Sequence, residues 1–152
     1  MNLRRVTSSR AVAASGRAMT NRIKVRGDDG FSYYAKPWHS ESPHAPNLHN
    51  QLRPALATAC AIRLGFQATC DMAILCGGFP VEPSPSPALN RVDFDVLGTR
   101  ALHNGMTPTN AAELADAVTT VANPADIARI LFLDLWLLNG DRKSHNPNLL
   151  VA

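Results

Sequence analysis

Between Ile130 and Leu138 every residue except Asp134 is apolar, and the chain passes without a spacer into the polar run Asn139-Gly-Asp-Arg-Lys-Ser-His-Asn-Pro-Asn148 and then Leu149-Leu-Val151. A helix that is apolar all round belongs in a core. Asn123 as N-cap, Pro124 at the first helical position and Asp126 three residues after the cap mark its start, so a helix over 123–138 is predicted. A polar loop pinned between a core helix and a short apolar strand is a rigid platform for side chains. Asp141 and Asn146 are the residues of interest there, although Asp and Asn also serve ordinary turns.

Phe132-Leu-Asp134-Leu-Trp136, Asn139, Asp141-Arg142 and Asn146-Pro-Asn-Leu-Leu150 together resemble the catalytic-loop region of the HipA-like kinase family. The resemblance implies that Asp141 is the catalytic aspartate, which orients or deprotonates the attacking hydroxyl, and that Asn146 ligates magnesium on the ATP phosphates. Asp134 and Arg142 would brace the loop. Ser15-Gly16-Arg17, the stretch through Asp29-Gly30 and Tyr33-Tyr-Ala-Lys36, and the helix ending Arg63-Leu-Gly65 follow the order of that family's nucleotide-binding lobe. Lys36 then matches the strand lysine that contacts nucleotide phosphates.

The same comparison implies an α+β, protein-kinase-like fold, with a small β-rich N-lobe and the first part of a helical C-lobe, incomplete. Its parts are a flexible basic leader (1–19), an N-lobe-like part (20–79), a proline-rich connector (80–90) and a partial C-lobe carrying the catalytic-loop motif (91–152). The expected activity is ATP- and Mg2+-dependent phosphotransfer to a protein or small-molecule hydroxyl. Two departures weigh against full activity. A kinase pairs its strand lysine with a glutamate on the following helix, yet no acidic residue lies between Glu41 and Asp71. Only six residues follow Asn146, so the family's second metal-binding aspartate is not reached. An impaired kinase is the first expectation, and a non-catalytic, pseudokinase-like binding module or gene remnant the second.

Composition bounds the remaining classes. The chain has 152 residues, 45% hydrophobic and 18% charged, which is enough for a real core and too little for two kinase lobes. Eleven prolines and nine glycines predict a loop-rich middle. Seven cations, Arg4, Arg5, Arg10, Arg17, Arg22, Lys24 and Arg26, precede the first acid, Asp28. This supports a third reading, a basic nucleic-acid-binding protein, ranked last because no aromatic residues are interleaved with the leader's charges. Three cysteines without a CxxC pair signal neither a disulfide framework nor zinc. No run reaches the length of a membrane span, and a cytoplasmic location is expected, with a transit peptide as the minor alternative.

Local signals give the remaining elements. Arg22-Ile-Lys-Val-Arg26 and Phe31-Ser-Tyr-Tyr-Ala-Lys36 should pair as a hairpin across Gly27-Asp-Asp-Gly30. Residues 38–50 read as loop, Pro54–Leu64 as a helix stopped by Gly65, Asp71–Phe79 as a buried strand closing at Gly77-Gly78, and Asn110–Val118 as a helix. The terminal Leu149-Leu-Val-Ala152 would present an apolar strand edge, so self-association is expected.

Overall fold

A computed structural model describes residues 3–13, 22–39, 41–42, 44–66, 71–82, 90–102, 110–120 and 124–136. The protein is α+β. It divides into two compact units, residues 1–58 with 70–101 and residues 59–69 with 102–152.

The first unit is built on a six-stranded sheet of β1 (Arg4–Val6), β2 (Ala11–Ala13), β3 (Ile23–Arg26), β4 (Ser32–Ala35), β5 (Met72–Leu75) and β8 (Val96–Arg100), in the order β1-β5-β8-β4-β3-β2. β1 runs parallel to β5, and the other pairs are antiparallel. A smaller ribbon joins β6 (Phe79–Pro80) to β7 (Arg91–Val92). The topology forces the main sheet to curl. Its two edge strands, β1 and β2, are neighbours in sequence, and the five residue steps from Val6 to Ala11 reach at most ~18 Å. Six strands laid flat would separate their edges by ~24 Å. Bridging between Ala11 and Val81, with the Glu82 amide donating to the Ala11 carbonyl, ties the β2 edge to the end of the ribbon.

The hairpin forms where the sequence predicts it, with Ile23 opposite Ala35 and Arg26 opposite Ser32. Gly30 takes a φ of +83°, a conformation costly for residues with a Cβ, and the Gly27 amide closes the turn on the Phe31 carbonyl at 2.8 Å. Burial alternates along both strands, so Ile23, Val25, Tyr33 and Ala35 point inward. They join Val6, Ala11, Trp38, Ala73, Leu75, Phe79, Val81, Val92 and Val96 in one core. Gly98 lies opposite both Ala35 and Ala73, and its missing side chain is what admits Tyr33 and Leu75, since a Cβ there would stand 2.6 Å from Leu75 Cδ1.

Several expectations need correction. The leader is not wholly loose, because Arg4–Val6 and Ala11–Ala13 are sheet strands with Val6 and Ala11 fully buried. Three-residue strands carry too few alternations to show a period. The run 71–79 is two strands, β5 and β6, separated at Cys76-Gly77-Gly78, where the Cys76 amide bonds the Val6 carbonyl. β7 and β8 were not foreseen. They rejoin the β-rich unit after the proline-rich stretch, so that unit extends to Ala101.

The helix expected at Pro54 begins six residues earlier, as α1 (Leu48–Arg63). Asn47 is its N-cap, with Oδ1 accepting from the Asn50 amide at 3.0 Å. Gly65, at φ +75°, ends it through bonds from the Gly65 amide to Ile62 and from the Phe66 amide to Ala61, the Schellman pattern.

In the second unit α2 (Ala111–Thr120) starts at a reciprocal cap. The Glu113 amide donates to Asn110 Oδ1 and Asn110 Nδ2 donates to Glu113 Oε1, both at 2.9 Å. α3 (Pro124–Trp136) contacts α2. It is not buried on every side as expected: Leu133 is buried, whereas Leu131, Phe132, Leu135 and Trp136 are exposed. Contact with a neighbouring helix such as α2 covers one stripe of a helix, not its circumference.

Candidate functional site around Lys36

Of the three site residues expected from sequence, Lys36 alone falls among the described residues. Asp141 and Asn146 lie outside them, as do Arg142 and the Ser15-Gly16-Arg17 segment. Asp134 is half-buried on α3. The described structure therefore brings no two of the expected site residues together.

Lys36 follows β4 directly and continues its alternation outward, with an exposed side chain. No ion pair involves it among the described residues. Its backbone is held firmly. Gln51 on the second turn of α1 is one of two buried polar side chains among the described residues, the other being the cap Asn47. Gln51 Nε2 donates to the Lys36 carbonyl at 3.0 Å, and Gln51 Oε1 accepts from the Leu97 amide at 2.5 Å.

The pairing geometry explains why both backbone groups are available. The Ala101 amide bonds the Ser32 carbonyl, so 32 and 101 form a hydrogen-bonded pair, and alternation along an antiparallel ladder makes 34 with 99 and then 36 with 97 the next such pairs. The paired register stops at Ala35 opposite Gly98. At the next rung the side-chain amide of Gln51 stands between the strands, satisfying the Lys36 carbonyl and the Leu97 amide together. An amide suits this place because it offers one donor group and one acceptor group, whereas an ionised carboxylate only accepts. Thus the helix side chain that reaches the lysine-bearing strand is a neutral amide bonded to backbone. Sequence reading missed Gln51 because the helix was started after it; Asn47 ahead of an apolar-spaced run was the available signal.

A second polar cluster sits beside the hairpin turn. Arg4 Nη2 donates to Tyr33 Oη, which donates to Asp29 Oδ2, each at 2.5 Å, while Arg4 pairs with Asp29 at 3.2 Å. Burial, reinforced by the Asp29 carboxylate, pushes the Tyr33 phenol up to about 12. Burial by itself would raise Asp29, but bonds from Tyr33 and the Phe31 amide, with Arg4 and Arg100 nearby, outweigh it and hold Asp29 below the usual carboxylate range. Asp95 is lowered too, by the Gly77 amide at 3.0 Å and by Arg5 at 2.7 Å. These groups fasten β1 and the turns to the sheet.

Among the described residues no three His, Cys, Asp or Glu side chains cluster to hold a metal ion, and no helix is long and apolar enough to cross a membrane. Comparison of the chain with protein-family models, curated proteins and solved structures finds no match to any of the three.

Proposed function

We propose that this protein is a HipA-like kinase domain protein that binds ATP with magnesium and is impaired in transferring phosphate to a hydroxyl acceptor. The observation that carries the reading is the local order of hairpin, Lys36 and helix, with Lys36 exposed at the end of the second strand and α1 fastened to its backbone through Gln51. In a kinase the strand lysine holds nucleotide phosphates and a helix carboxylate holds the lysine. Asp141 would orient the acceptor hydroxyl and Asn146 would hold the metal, which supplies neutralisation of phosphate charge.

Gln51 favours a second reading, a non-catalytic nucleotide-binding module. Its neutral amide is engaged with the Lys36 carbonyl and the Leu97 amide, so it offers Lys36 no counter-charge. Calorimetric titration with ATP, with and without magnesium, tests the shared part of both readings. Magnesium-dependent binding that weakens in Lys36→Ala and Asn146→Ala is the expected result, and absence of binding removes both. Transfer of labelled γ-phosphate that disappears in Asp141→Ala separates the kinase from the module.

A further inference from the structure

The outward face of the hairpin carries an unusual charge imbalance. On β3 the exposed residues are Lys24 and Arg26, with Arg22 one step before the strand, and on β4 the exposed residue is Tyr34, with Lys36 one step after the strand. Lys24 stands directly opposite Tyr34. Extending the same register one step places Arg22 opposite Lys36. Tyr34 is 37% exposed as a residue, with the Arg22 guanidinium 5.1 Å and the Lys24 ammonium 5.8 Å from its ring centre.

Elsewhere in this unit four arginines are paired with carboxylates, whereas Arg10 and Arg53 are exposed cations without one among the described residues. Arg4 pairs with Asp29, Arg5 with Asp95, Arg91 with Asp93 and Arg100 with Asp71. Arg22, Lys24, Arg26 and Lys36 have no carboxylate partner among the described residues. Uncompensated cations around an exposed ring are the combination that single-stranded nucleic acids use, with phosphates on the cations and a base on the aromatic plane.

We propose that this face, with Arg22, Lys24, Arg26 and Lys36 around Tyr34, binds single-stranded nucleic acid. The row from Arg22 to Arg26 extends ~13 Å along the strand, more than one phosphate group can bridge, which favours a ligand with successive phosphates. An acidic peptide would meet the cations and leave the ring unused. The site differs from the basic leader considered from sequence, because it is made by strand pairing and includes an aromatic residue. It shares Lys36 with the kinase reading but does not depend on Asp141 or Asn146.

Fluorescence anisotropy of a labelled oligo(dT) 15-mer titrated with the full chain tests it. Four phosphate contacts give a log–log salt slope of about −2.8, a loss of roughly 50-fold between 50 and 200 mM salt. Replacing two cations in Lys24→Gln/Arg26→Gln should halve that slope. Tyr34→Ser should weaken binding about tenfold and leave the slope unchanged. Arg53→Gln, an exposed cation on α1, should bind as the parent does, and matching thermal melts would show that each variant is folded.

Undetectable binding at 50 mM salt, or an unchanged slope in the double variant, overturns the proposal. Asn146→Ala separates the two functions: it should leave oligonucleotide binding intact, and its loss of ATP binding bears on the kinase reading alone.

Discussion

Gln51 stands in for the missing rung between Lys36 and Leu97, donating to the carbonyl of one at 3.0 Å and accepting from the amide of the other at 2.5 Å. One side chain thereby joins α1 to two strands and fixes the backbone from which Lys36 projects. Because the bridge needs both a donor and an acceptor, it depends on the residue being an amide, and the familiar Glu-for-Gln exchange is not conservative here.

Gln51→Glu is expected to destabilise the protein at pH 7 by ~2–4 kcal/mol, since the Lys36 carbonyl loses its donor and a buried charge faces it. Burial raises the folded-state pKa of such a glutamate above its unfolded value of ~4.3. The protonated acid can still donate, so the penalty is smallest below pH ~4 and grows as pH rises. Urea denaturation at pH 4 and pH 7 reads this directly; a penalty equal at both would show that the bridge does not depend on the amide.

Tyr33 lies fully buried with its phenol raised to about 12. The neutral form is favoured by folding, so its contribution is present below the unfolded pKa of ~10 and is lost as pH climbs from there toward 12, on the order of 2–3 kcal/mol. Tyr33→Phe should lack that alkaline fall while being less stable at neutral pH. Denaturation midpoints at pH 8, 10 and 11 compare the two chains.

Asp95, lowered by the Gly77 amide and Arg5, acts in the opposite direction. Its contribution is present above the unfolded carboxylate value of ~3.9 and disappears as pH falls through its depressed folded value. Asp95→Asn should therefore be less stable at pH 6 and show a shallower acid limb, with the difference shrinking as pH approaches 2. A difference that stays constant with pH would assign Asp95 a purely steric role.

Two glycines should differ in how they tolerate a methyl group. A Cβ on Gly77 would stand 2.6 Å from the Phe94 backbone, whereas on Gly98 it would meet the Leu75 side chain at 2.6 Å and Tyr33 Cβ at 3.1 Å. Side chains can shift rotamer and backbone cannot, so Gly77→Ala is expected to exceed the ~1–3 kcal/mol usual for overpacking, and Gly98→Ala to fall within it. Thermal melts of the two variants check the order.

Local chemistry in the sequence determined the hairpin across Gly27–Gly30, the stop at Gly65 and the start of α2 near Asn110, because turn geometry and capping are settled within a few residues. The alternation of Ile23 and Val25 with Arg22, Lys24 and Arg26 is likewise the local pattern of a half-buried strand. Asp141 and Asn146 are sequence expectations that lie outside the described residues. What only tertiary structure decided depends on pairing between distant segments. β1 and β2 are strands because β5 and β3 offer them partners, not because three residues favour a strand. Tyr34 meets Lys24 through strand register, the arginines of β1 find aspartates up to ninety positions away, and Gln51 becomes a rung of the sheet where β4 and β8 stop pairing. Each of these is a hydrogen bond, charge pair or cation–ring contact formed across the fold, and a linear pattern does not record which distant group completes it.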